Sequence, residues 1–466
     1  MTTRLIELGA VELSRGFADG SLSPVGVAEA VLARIDAWEP AINAMFLVDR
    51  EGALAQARGS EGRWRRGEAF GPLDGVPITV KDNVALAGTP APLGCAAFAD
   101  TTPSTVDSPP AARVREAGCV LLGKTTMPDF GMLSSGVSSL HGTTRNPWDL
   151  ARNPGGSSSG AAAGLAALYG PLALGTDIGG SVRLPAAHCG VVALKPSLGR
   201  VPIHPPYWGR VTGPMTRSVA DAALLMNALT RPDAQDYMSL PYHEADYLAR
   251  LADGPGLKGL RLGLLLDIGI GTPPTPEVRA AVEAAARLLE AEGAAVEPVA
   301  PFGDAAMLEG LNRFFQARSC TDFLEVPHER QAKVLPFIRD WLRPALSWSA
   351  IEMMRAVNQI PLMREAAVRA CRPFDAVLSP TSPVPAYAAE EACPGDDHAR
   401  PFDHVCFTAP FNQSEQPAAS VPCGFTGDGL PIGLQIVGRR FDDVGVLRLA
   451  AAYERLRGPL LAWPEP

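Results

Sequence analysis

Two short glycine-serine clusters place the strongest constraint on how this chain can fold. Each reads Gly-Gly-Ser, at 155–157 and at 179–181, so that their serines stand 24 positions apart (157 to 181). Between them, the Ala- and Leu-rich segment 160–169 predicts a buried helix, and 172–174 predicts a strand that leads into the second cluster. A loop, helix, strand and loop in this order can bring both serines to one edge of a sheet.

Glycines next to a serine let backbone N–H groups face a ligand, because no Cβ blocks the approach. Such N–H groups can stabilise an anion, either a phosphate or the oxyanion formed during acyl transfer. Taken alone, each cluster is also compatible with a flexible loop. Asp177 and Arg183, on either side of the second serine, and the apolar segments between the clusters favour a functional site.

A serine nucleophile needs a base. His188 is the nearest histidine, but its apolar neighbours in 185–189 favour a packing role. A lysine kept neutral by burial is the other base that works near neutral pH. Lys81 directly follows 76–80, an apolar and β-branched segment that predicts a buried strand. We therefore expect Lys81 to be the base.

Helices and strands alternate along the rest of the chain. Capping residues and apolar periodicity predict helices at 23–39 (ended by Pro40), 107–117, 276–292 and 443–456. Short apolar segments predict strands at 119–122, 260–266, 294–299, 418–422 and 431–437, with a turn at 427–429 between the last two. The alternation is typical of an α/β fold with a mainly buried sheet. The Pro-, Gly- and acid-rich segment 390–401 predicts a surface loop.

One segment, 118–125, matches the letters of the phosphate-binding pattern GxxxxGK[ST]. Such a loop needs a preceding strand and a following helix. Here a helix is predicted before Gly118, the intervening residues predict a strand, and Pro128 follows closely. We expect no nucleotide site. The aromatic pair Tyr207-Trp208 either lines a pocket or packs in a surface loop.

Charge and composition exclude several classes of protein. The 466 residues carry 41 Lys and Arg against 50 Asp and Glu, with no dense basic segment, which argues against a nucleic-acid partner. There is no apolar stretch of membrane-spanning length and no apolar region of a secretory signal, so we expect a cytoplasmic protein without a membrane partner. The eight scattered cysteines lack metal-ligand spacing, and we expect reduced core thiols and no metal.

The chain resembles the amidase signature family of serine hydrolases. The segments that carry the resemblance are GVPITVKDN at 75–83, GGSSSGAAAG at 155–164 and GTDIGGSVRLPA at 175–186. The likeness is close over 71–222 and weaker over 23–39 and 407–455. It implies the family fold, a single large α/β/α domain in which helices cover both faces of a mixed, mostly buried sheet.

The resemblance implies a Ser-cisSer-Lys triad. Ser181 matches the nucleophile, Ser157 the bridging serine that follows a cis peptide bond, and Lys81 the base. The backbone N–H groups that match the oxyanion hole are those of Ile178, Gly179, Gly180 and Ser181. The positions that match supports of this loop are Ser158, Asp177 and Arg183. The segment 128–136 matches a substrate-contacting loop, in which we expect substrate binding by Gly131, Met132 and Leu133.

The family pattern is nearly complete in this chain. Ser159 stands where the commoner pattern has a glycine, a change that leaves the triad intact and could tighten the loop. We expect one amidase domain over 1–466, comprising an N-terminal helical region (1–65), the core (71–222), a variable specificity region (223–410) and returning strands and helix (411–466).

The expected activity is hydrolysis of a small carboxylic amide to an acid and an amine or ammonia, without a cofactor. One alternative is the glutaminase subunit of a tRNA-dependent amidotransferase, which carries the same motifs but works with partner chains. The apolar character of 128–140 favours a less polar substrate than glutamine. A second alternative is a non-catalytic binding relative, against which the intact triad argues. A homodimer is the default expectation on symmetry grounds.

Overall fold

An eleven-stranded mixed β-sheet forms the centre of the protein. The computed structural model describes residues 2–252, 256–397, 399–459 and 462–465. Within these ranges the strands are β1 (Met45–Val48), β2 (Pro77–Lys81), β3 (Val120–Thr125), β4 (Val137–Ser138), β5 (Gly142–Thr143), β6 (Leu172–Asp177), β7 (Val192–Lys195), β8 (Val211–Thr216), β9 (Arg261–Leu264), β10 (Ala295–Pro298), β11 (Ala376–Pro380), β12 (Ala418–Phe425) and β13 (Pro431–Gly438).

Helices flank this sheet, as the α/β prediction requires. In the described part of the chain they are α1 (Thr2–Glu7), α2 (Ala10–Ala18), α3 (Pro24–Ile42), α4 (Arg50–Arg66), α5 (Pro109–Glu116), α6 (Ser159–Ala166), α7 (Arg183–Cys189), α8 (Val219–Leu229), α9 (Pro276–Ala291), α10 (Ala305–Leu324), α11 (Pro336–Leu342), α12 (Ala350–Val357), α13 (Gln359–Cys371), α14 (Ala409–Gln413) and α15 (Asp443–Arg457). None of them is long and apolar enough to cross a membrane.

The order of strands in the sheet is β1-β3-β2-β6-β8-β7-β12-β13-β11-β9-β10, while β4 and β5 pair separately. Strand β2 runs parallel to both β3 and β6, whereas β8, β7, β12 and β13 pair in antiparallel fashion. The predicted turn at 427–429 does join two antiparallel neighbours, β12 and β13. The predicted strand-helix-strand unit near 260–299 is also confirmed, because β9 and β10 pair in parallel.

Parallel pairing of β2 with β6 positions the site. Ile78 lies opposite Leu172 and Val80 opposite Leu174, so the carboxyl ends of both strands meet at one edge of the sheet. Both strands are buried along their whole length, as their apolar sequences predict. The segment 118–125 contains β3 and no phosphate-binding loop, which agrees with the sequence interpretation.

Helix α3 differs from its prediction at the C-terminal end. The helix continues through Pro40 to Ile42 and ends at Asn43, which adopts the left-handed conformation. A proline near the end of a helix removes a single backbone donor. Ile42 is fully buried in the core, and this burial favours the extra turn over an end at Pro40.

Four hydrophobic clusters occupy the interior of the described part of the chain. The largest contains many of the sheet residues and residues of helices α2, α3, α8, α9 and α15. The second lies beside the serine clusters and includes Leu133, Phe315 and Trp341. It also contains Ala392 and Cys393, so the prediction of a surface loop over 390–401 is wrong at these two residues, whereas Glu390 is exposed. All eight cysteines are free thiols, and seven are buried, as predicted.

Candidate active site

Lys81 is the last residue of β2, and its side chain lies wholly within the protein. Its Nζ atom is 2.8 Å from Ser157 Oγ, 2.9 Å from Ser158 Oγ and 3.1 Å from Thr176 Oγ1. Asn83 in turn donates to the Thr176 hydroxyl over 3.1 Å. The Lys81 amine therefore faces three hydroxyl groups and forms no ion pair within the described ranges.

The environment of Lys81 favours its neutral form. Burial, and then the positive charge of Arg210, lower the pKa of Lys81 to about 7, while Asp177 and Asp82 act in the opposite direction. A substantial fraction of Lys81 is consequently neutral at physiological pH, with a lone pair available to accept a proton.

The two serine clusters meet as the sequence predicts. The Gly156–Ser157 peptide bond is cis, in agreement with the family pattern. The Ser158 N–H donates to the Ser181 carbonyl oxygen over 3.1 Å and so ties the first cluster to the second. Ser157 and Ser181 line one cleft. Ser159 begins helix α6 and contacts the carbonyl oxygen of Thr126, away from Lys81.

A buried ion pair holds the second serine loop. The Asp177 carboxylate accepts from Arg183 Nε at 3.0 Å and Nη2 at 2.9 Å, and from the N–H groups of Gly180 and Val182. Asn412 donates to the same carboxylate over 2.8 Å. Although burial acts to raise it, these partners, Arg183 foremost, hold the pKa of Asp177 well below its usual range.

The Arg183 guanidinium is also fully bonded on its other side. It donates to the Thr408 carbonyl oxygen at 3.1 Å, to Gln435 Oε1 at 2.7 Å and to Asn412 Oδ1 at 2.5 Å. A buried charge is tolerated when it is paired and its remaining donors are satisfied. The predicted supporting positions Asp177 and Arg183 thus lie in one network with residues of α14 and β13 that the sequence did not indicate.

The N–H groups of the four predicted oxyanion-hole residues differ in availability. The Gly180 N–H donates to Asp177 Oδ1 over 2.8 Å. The N–H groups of Ile178, Gly179 and Ser181 donate no hydrogen bond inside the described segments. These three groups are therefore free for a ligand, while the Gly180 N–H is already engaged.

The cleft has an apolar side and a charged side. On the apolar side, Ser181 and Gly179 adjoin a set of hydrophobic residues, namely Met132, Leu133, Ile178, Phe315, Phe402 and Val405. The three residues expected to bind substrate all border the cleft, since Gly131 and Met132 line both sides and Leu133 lines the apolar one. The charged side contains Tyr207, Arg210, Arg318 and Asp322.

Several of these residues carried no signal in the sequence. Arg210 precedes β8, and Arg318 and Asp322 lie on α10, far along the chain from the serine clusters. For the pair Tyr207-Trp208 both sequence interpretations hold in part. Tyr207 lines the cleft, whereas Trp208 is half exposed. Thr176 could have been found, because it precedes Asp177 at the end of a predicted strand.

Other candidate groups lie outside this arrangement. His188 is buried and contacts Ser382 and the Val384 carbonyl oxygen over 3.2 Å. Burial lowers the pKa of His188 to about 4, which fits the packing role that the sequence indicates. Within the described ranges, no three His, Cys, Asp or Glu side chains are grouped so that they could hold a metal ion.

Comparison with known proteins places this geometry in context. A family model described as Amidase matches residues 26–447. The chain is similar to one component of the glutamyl-tRNA(Gln) amidotransferase from Myxococcus xanthus, at 38% identity over 97% of this chain and 98% of the relative. It is also similar to an acylamidase from Rhodococcus erythropolis, at 36% identity over 97% of this chain and 95% of the relative.

Solved structures resemble the whole chain. A bacterial aryl acylamidase of the amidase signature family superposes with a TM-score of 0.89 at 30% identity, covering 96% of both chains. A 6-aminohexanoate cyclic dimer hydrolase gives the same TM-score at 28% identity, covering 99% of both chains. The resemblance extends from the fold to enzymes that act on amide bonds.

Proposed function

This chain belongs to the amidase family, and from that premise we propose that it cleaves a carboxylic amide through a covalent acyl-enzyme on Ser181. Amide hydrolysis is the activity of the family. The observation that carries the proposed mechanism is the 2.8 Å contact between Lys81 Nζ and Ser157 Oγ, beside a second serine in the same cleft. Serine becomes a competent nucleophile when an adjacent group accepts its proton.

The first half of the reaction uses the two serines in sequence. Neutral Lys81 accepts the proton of the Ser157 hydroxyl, Ser157 accepts the proton of Ser181, and Ser181 Oγ forms a bond to the amide carbonyl carbon. The tetrahedral intermediate then breaks its C–N bond, while Ser157 donates a proton to the departing nitrogen and recovers one from Lys81. The products of this half are a free amine and an ester on Ser181.

The second half repeats the sequence with water. Water loses a proton to Ser157 as its oxygen bonds to the ester carbonyl carbon, and the proton passes to Lys81. Collapse of the second intermediate returns the proton to Ser181 Oγ and releases the carboxylic acid. The enzyme is restored without a net change in protonation.

The oxyanion formed in both halves needs hydrogen-bond donors. We assign this role to the free N–H groups of Ile178, Gly179 and Ser181. The Gly180 N–H, included by the family pattern, has a supporting role instead because Asp177 accepts its hydrogen. Removal of one such donor typically costs about 10²–10³ in rate. The Asp177–Arg183 ion pair keeps this loop in position.

The walls of the cleft favour an amide with an apolar portion. Met132, Leu133 and Phe315 adjoin Ser181, and burial of an apolar group against them supplies binding energy. The similarity to an acylamidase and to an aryl acylamidase supports the same substrate class. We propose a cytoplasmic amidase that acts on such small amides without a different partner chain and forms a homodimer. Its activity requires no nucleic acid, membrane or cofactor. The domain scheme over 1–466 is part of this proposal.

A second candidate function is the glutaminase subunit of a tRNA-dependent amidotransferase. The 38% identity to a glutamyl-tRNA(Gln) amidotransferase component over nearly the whole of both chains favours it. It would require the cleft to accept the zwitterionic glutamine, whose charges Arg210, Arg318 and Asp322 could bind. The apolar side, formed by Met132, Leu133, Phe315, Phe402 and Val405, would then receive no apolar group. A non-catalytic relative is disfavoured because Lys81, Ser157 and Ser181 are all present.

The test is a substrate panel combined with covalent labelling. Purified protein is assayed with anilides, aliphatic amides, cyclic amides and glutamine, and its intact mass is measured after exposure to a fluorophosphonate. We expect turnover of anilides or aliphatic amides, together with one adduct that peptide mapping places on Ser181. Turnover of glutamine alone would establish the second candidate. An unlabelled protein that hydrolyses none of the amides would contradict both.

A further inference from the structure

Arg210 is a buried cation that forms no ion pair with any carboxylate in the described part of the chain. Its side chain and backbone together are only 7% exposed. The guanidinium makes one hydrogen bond, from Nη1 to the Pro205 carbonyl oxygen at 2.6 Å, and no carboxylate of the described residues lies within ion-pair distance. A buried charge without a partner is costly, and binding of an anion offsets that cost.

Arg210 lines the same cleft as the two serines, opposite the apolar side. Arg318 lines it as well, and the two guanidinium carbons lie 5.2 Å and 4.7 Å, respectively, from the centre of the Tyr207 ring. Burial lowers the pKa of Arg210, and the nearby charge of Arg318 acts in the same direction, while Tyr207 and Asp322 oppose it. An anion bound beside both guanidinium groups would offset the repulsion between them.

The charges that border the cleft do not cancel. Asp322 pairs with Arg318 through a 2.6 Å contact to Nη1. Asp177 pairs with Arg183 inside the protein. The remaining uncompensated charge is that of Arg210, because two guanidinium groups and one carboxylate leave an excess of one positive charge on this wall.

We infer that Arg210 and Arg318 form a subsite for a carboxylate carried by the amide substrate. This inference rests on the proposed function and specifies its substrate class: an amide with one negatively charged end. A guanidinium presents a planar fork of donors that fits the two oxygens of a carboxylate. The apolar side of the cleft then receives the uncharged end of the same molecule.

The alternative to a subsite is a purely structural role, in which Arg210 holds the 203–210 segment through its bond to Pro205. A structural role affects all substrates equally. A carboxylate subsite affects only those that carry the charge. The ratio of kcat/KM for a charged amide to that for a neutral amide therefore separates the two roles.

The experiment uses three anilides of similar shape. Butyranilide is neutral, succinanilic acid carries a carboxylate on the acyl part, and N-butyryl-4-aminobenzoate carries it on the amine part. We expect one of the two charged amides to exceed butyranilide in kcat/KM by about tenfold or more, in line with the strength of charge-assisted hydrogen bonds. Which one does so identifies the part of the substrate that bears the charge.

Variants then assign the effect to residues. Arg210→Met is expected to reduce the charged-to-neutral ratio to within about threefold of one. Arg318→Gln is expected to lower the ratio and Asp322→Asn to raise it, because the two substitutions shift the charge of the wall in opposite directions. Arg313→Gln is the matched control, since Arg313 lies on the same helix but outside the cleft. Its Nε atom is 2.6 Å from Glu309 Oε1. If Arg210→Met fails to fold, the opposite shifts of the other two variants decide the matter.

Binding is measured separately from turnover in a Ser181→Ala background, by calorimetry with butyranilide and the preferred charged anilide. If butyranilide is hydrolysed and all three anilides have equal kcat/KM values, the carboxylate subsite is overturned and the proposed function remains intact. Failure of the wild-type protein to hydrolyse any amide of the full panel, with binding of a charged anilide at least tenfold tighter than that of butyranilide, would overturn the proposed function and support the subsite. Equal affinities would overturn the subsite.

Discussion

The side-chain nitrogen of Lys81 lies 2.8 Å from the hydroxyl oxygen of Ser157, although 76 positions separate the two residues in the chain. The contact exists because β2 and β6 run parallel and end at one edge of the sheet, where the loop before α6 arrives. Lys81 is buried among hydroxyl groups at this edge, and this environment gives a base that works near neutral pH.

The first prediction concerns pH. Since burial, aided by Arg210, lowers the pKa of Lys81 to about 7, the lysine is protonated and inactive as a base below that pH. We expect kcat/KM for a neutral amide to rise about tenfold per pH unit below 7 and to level off above it. Rates measured between pH 5 and 9 provide the check.

A control is needed because burial also lowers the pKa of Lys195 to about 7. Lys195 lies at the end of β7 and bonds to the Pro196 carbonyl oxygen, outside the cleft. Lys195→Met should retain the rise near pH 7, whereas Lys81→Met should lose activity at every pH. A rise that disappears in Lys195→Met would contradict the assignment to Lys81.

The second prediction concerns the nucleophile. Ser181→Ala should lower kcat by at least ~10³-fold, because loss of the nucleophile in a serine hydrolase removes the acyl-enzyme route. Ser159→Ala is the matched control, since Ser159 contacts Thr126 and not Lys81. Steady-state kinetics on one anilide measure both. Comparable activity in the two variants would remove Ser181 from the mechanism.

The third prediction follows from the covalent intermediate. A Ser181 ester reacts with any small nucleophile that reaches it, so hydroxylamine added to the assay should convert part of the product from carboxylic acid to hydroxamate. The hydroxamate is quantified by its iron(III) complex, with the Ser181→Ala variant as the blank. Formation of acid alone, at hydroxylamine concentrations approaching 1 M, would indicate direct attack of water on the amide.

The fourth prediction concerns the buried ion pair. Arg183→Met leaves the Asp177 carboxylate buried without its main partner, and such a loss typically costs about 3–5 kcal/mol in the free energy of unfolding. Denaturant unfolding measures the change. Arg369→Gln removes an exposed pair with Glu365 and should leave the unfolding midpoint unchanged. Equal midpoints for both variants would show that the buried pair contributes little.

The fifth prediction concerns the loop glycine at 180. Gly180 has φ +129°, and a Cβ there would lie 2.5 Å from Thr408 Oγ1 and 2.8 Å from Leu184 Cδ1. Gly180→Ala should displace the neighbouring N–H groups and reduce kcat by about 10²-fold or more. Gly67→Ala, also at positive φ but with open space around the new Cβ, should keep full activity. Full activity in Gly180→Ala would show that the loop tolerates the shift.

The residues that the sequence identified lie on short local segments. Lys81 ends a strand of clear apolar character, and the serines lie in glycine-rich loops bounded by such strands, so local pattern and family resemblance together located them. Arg210 and Arg318 could not be found in this way. They reach the cleft from distant elements, and a charged residue on a helix or in a loop usually faces solvent.

Two further differences have local physical causes. The family resemblance implied four N–H donors in this loop, but the Asp177 carboxylate accepts the N–H of Gly180, three residues later, as short acidic side chains at turns commonly do. Pro40 suggested the end of α3, but burial of Ile42 outweighs the loss of one backbone donor. In both cases a tertiary or side-chain contact prevails over the local rule.

The separation of the interior into distinct hydrophobic clusters has a consequence for divergence. The strands that hold Lys81 and Asp177 pack mainly in the largest cluster, whereas Phe315, Leu133 and Trp341 belong to the second, which forms a wall of the cleft. Substitutions of wall residues on α10 and α11 can therefore change which amide enters while the packing of these strands is preserved. Leu184 and Ile178 also pack in the second cluster, so substitutions next to them would disturb the serine loop as well.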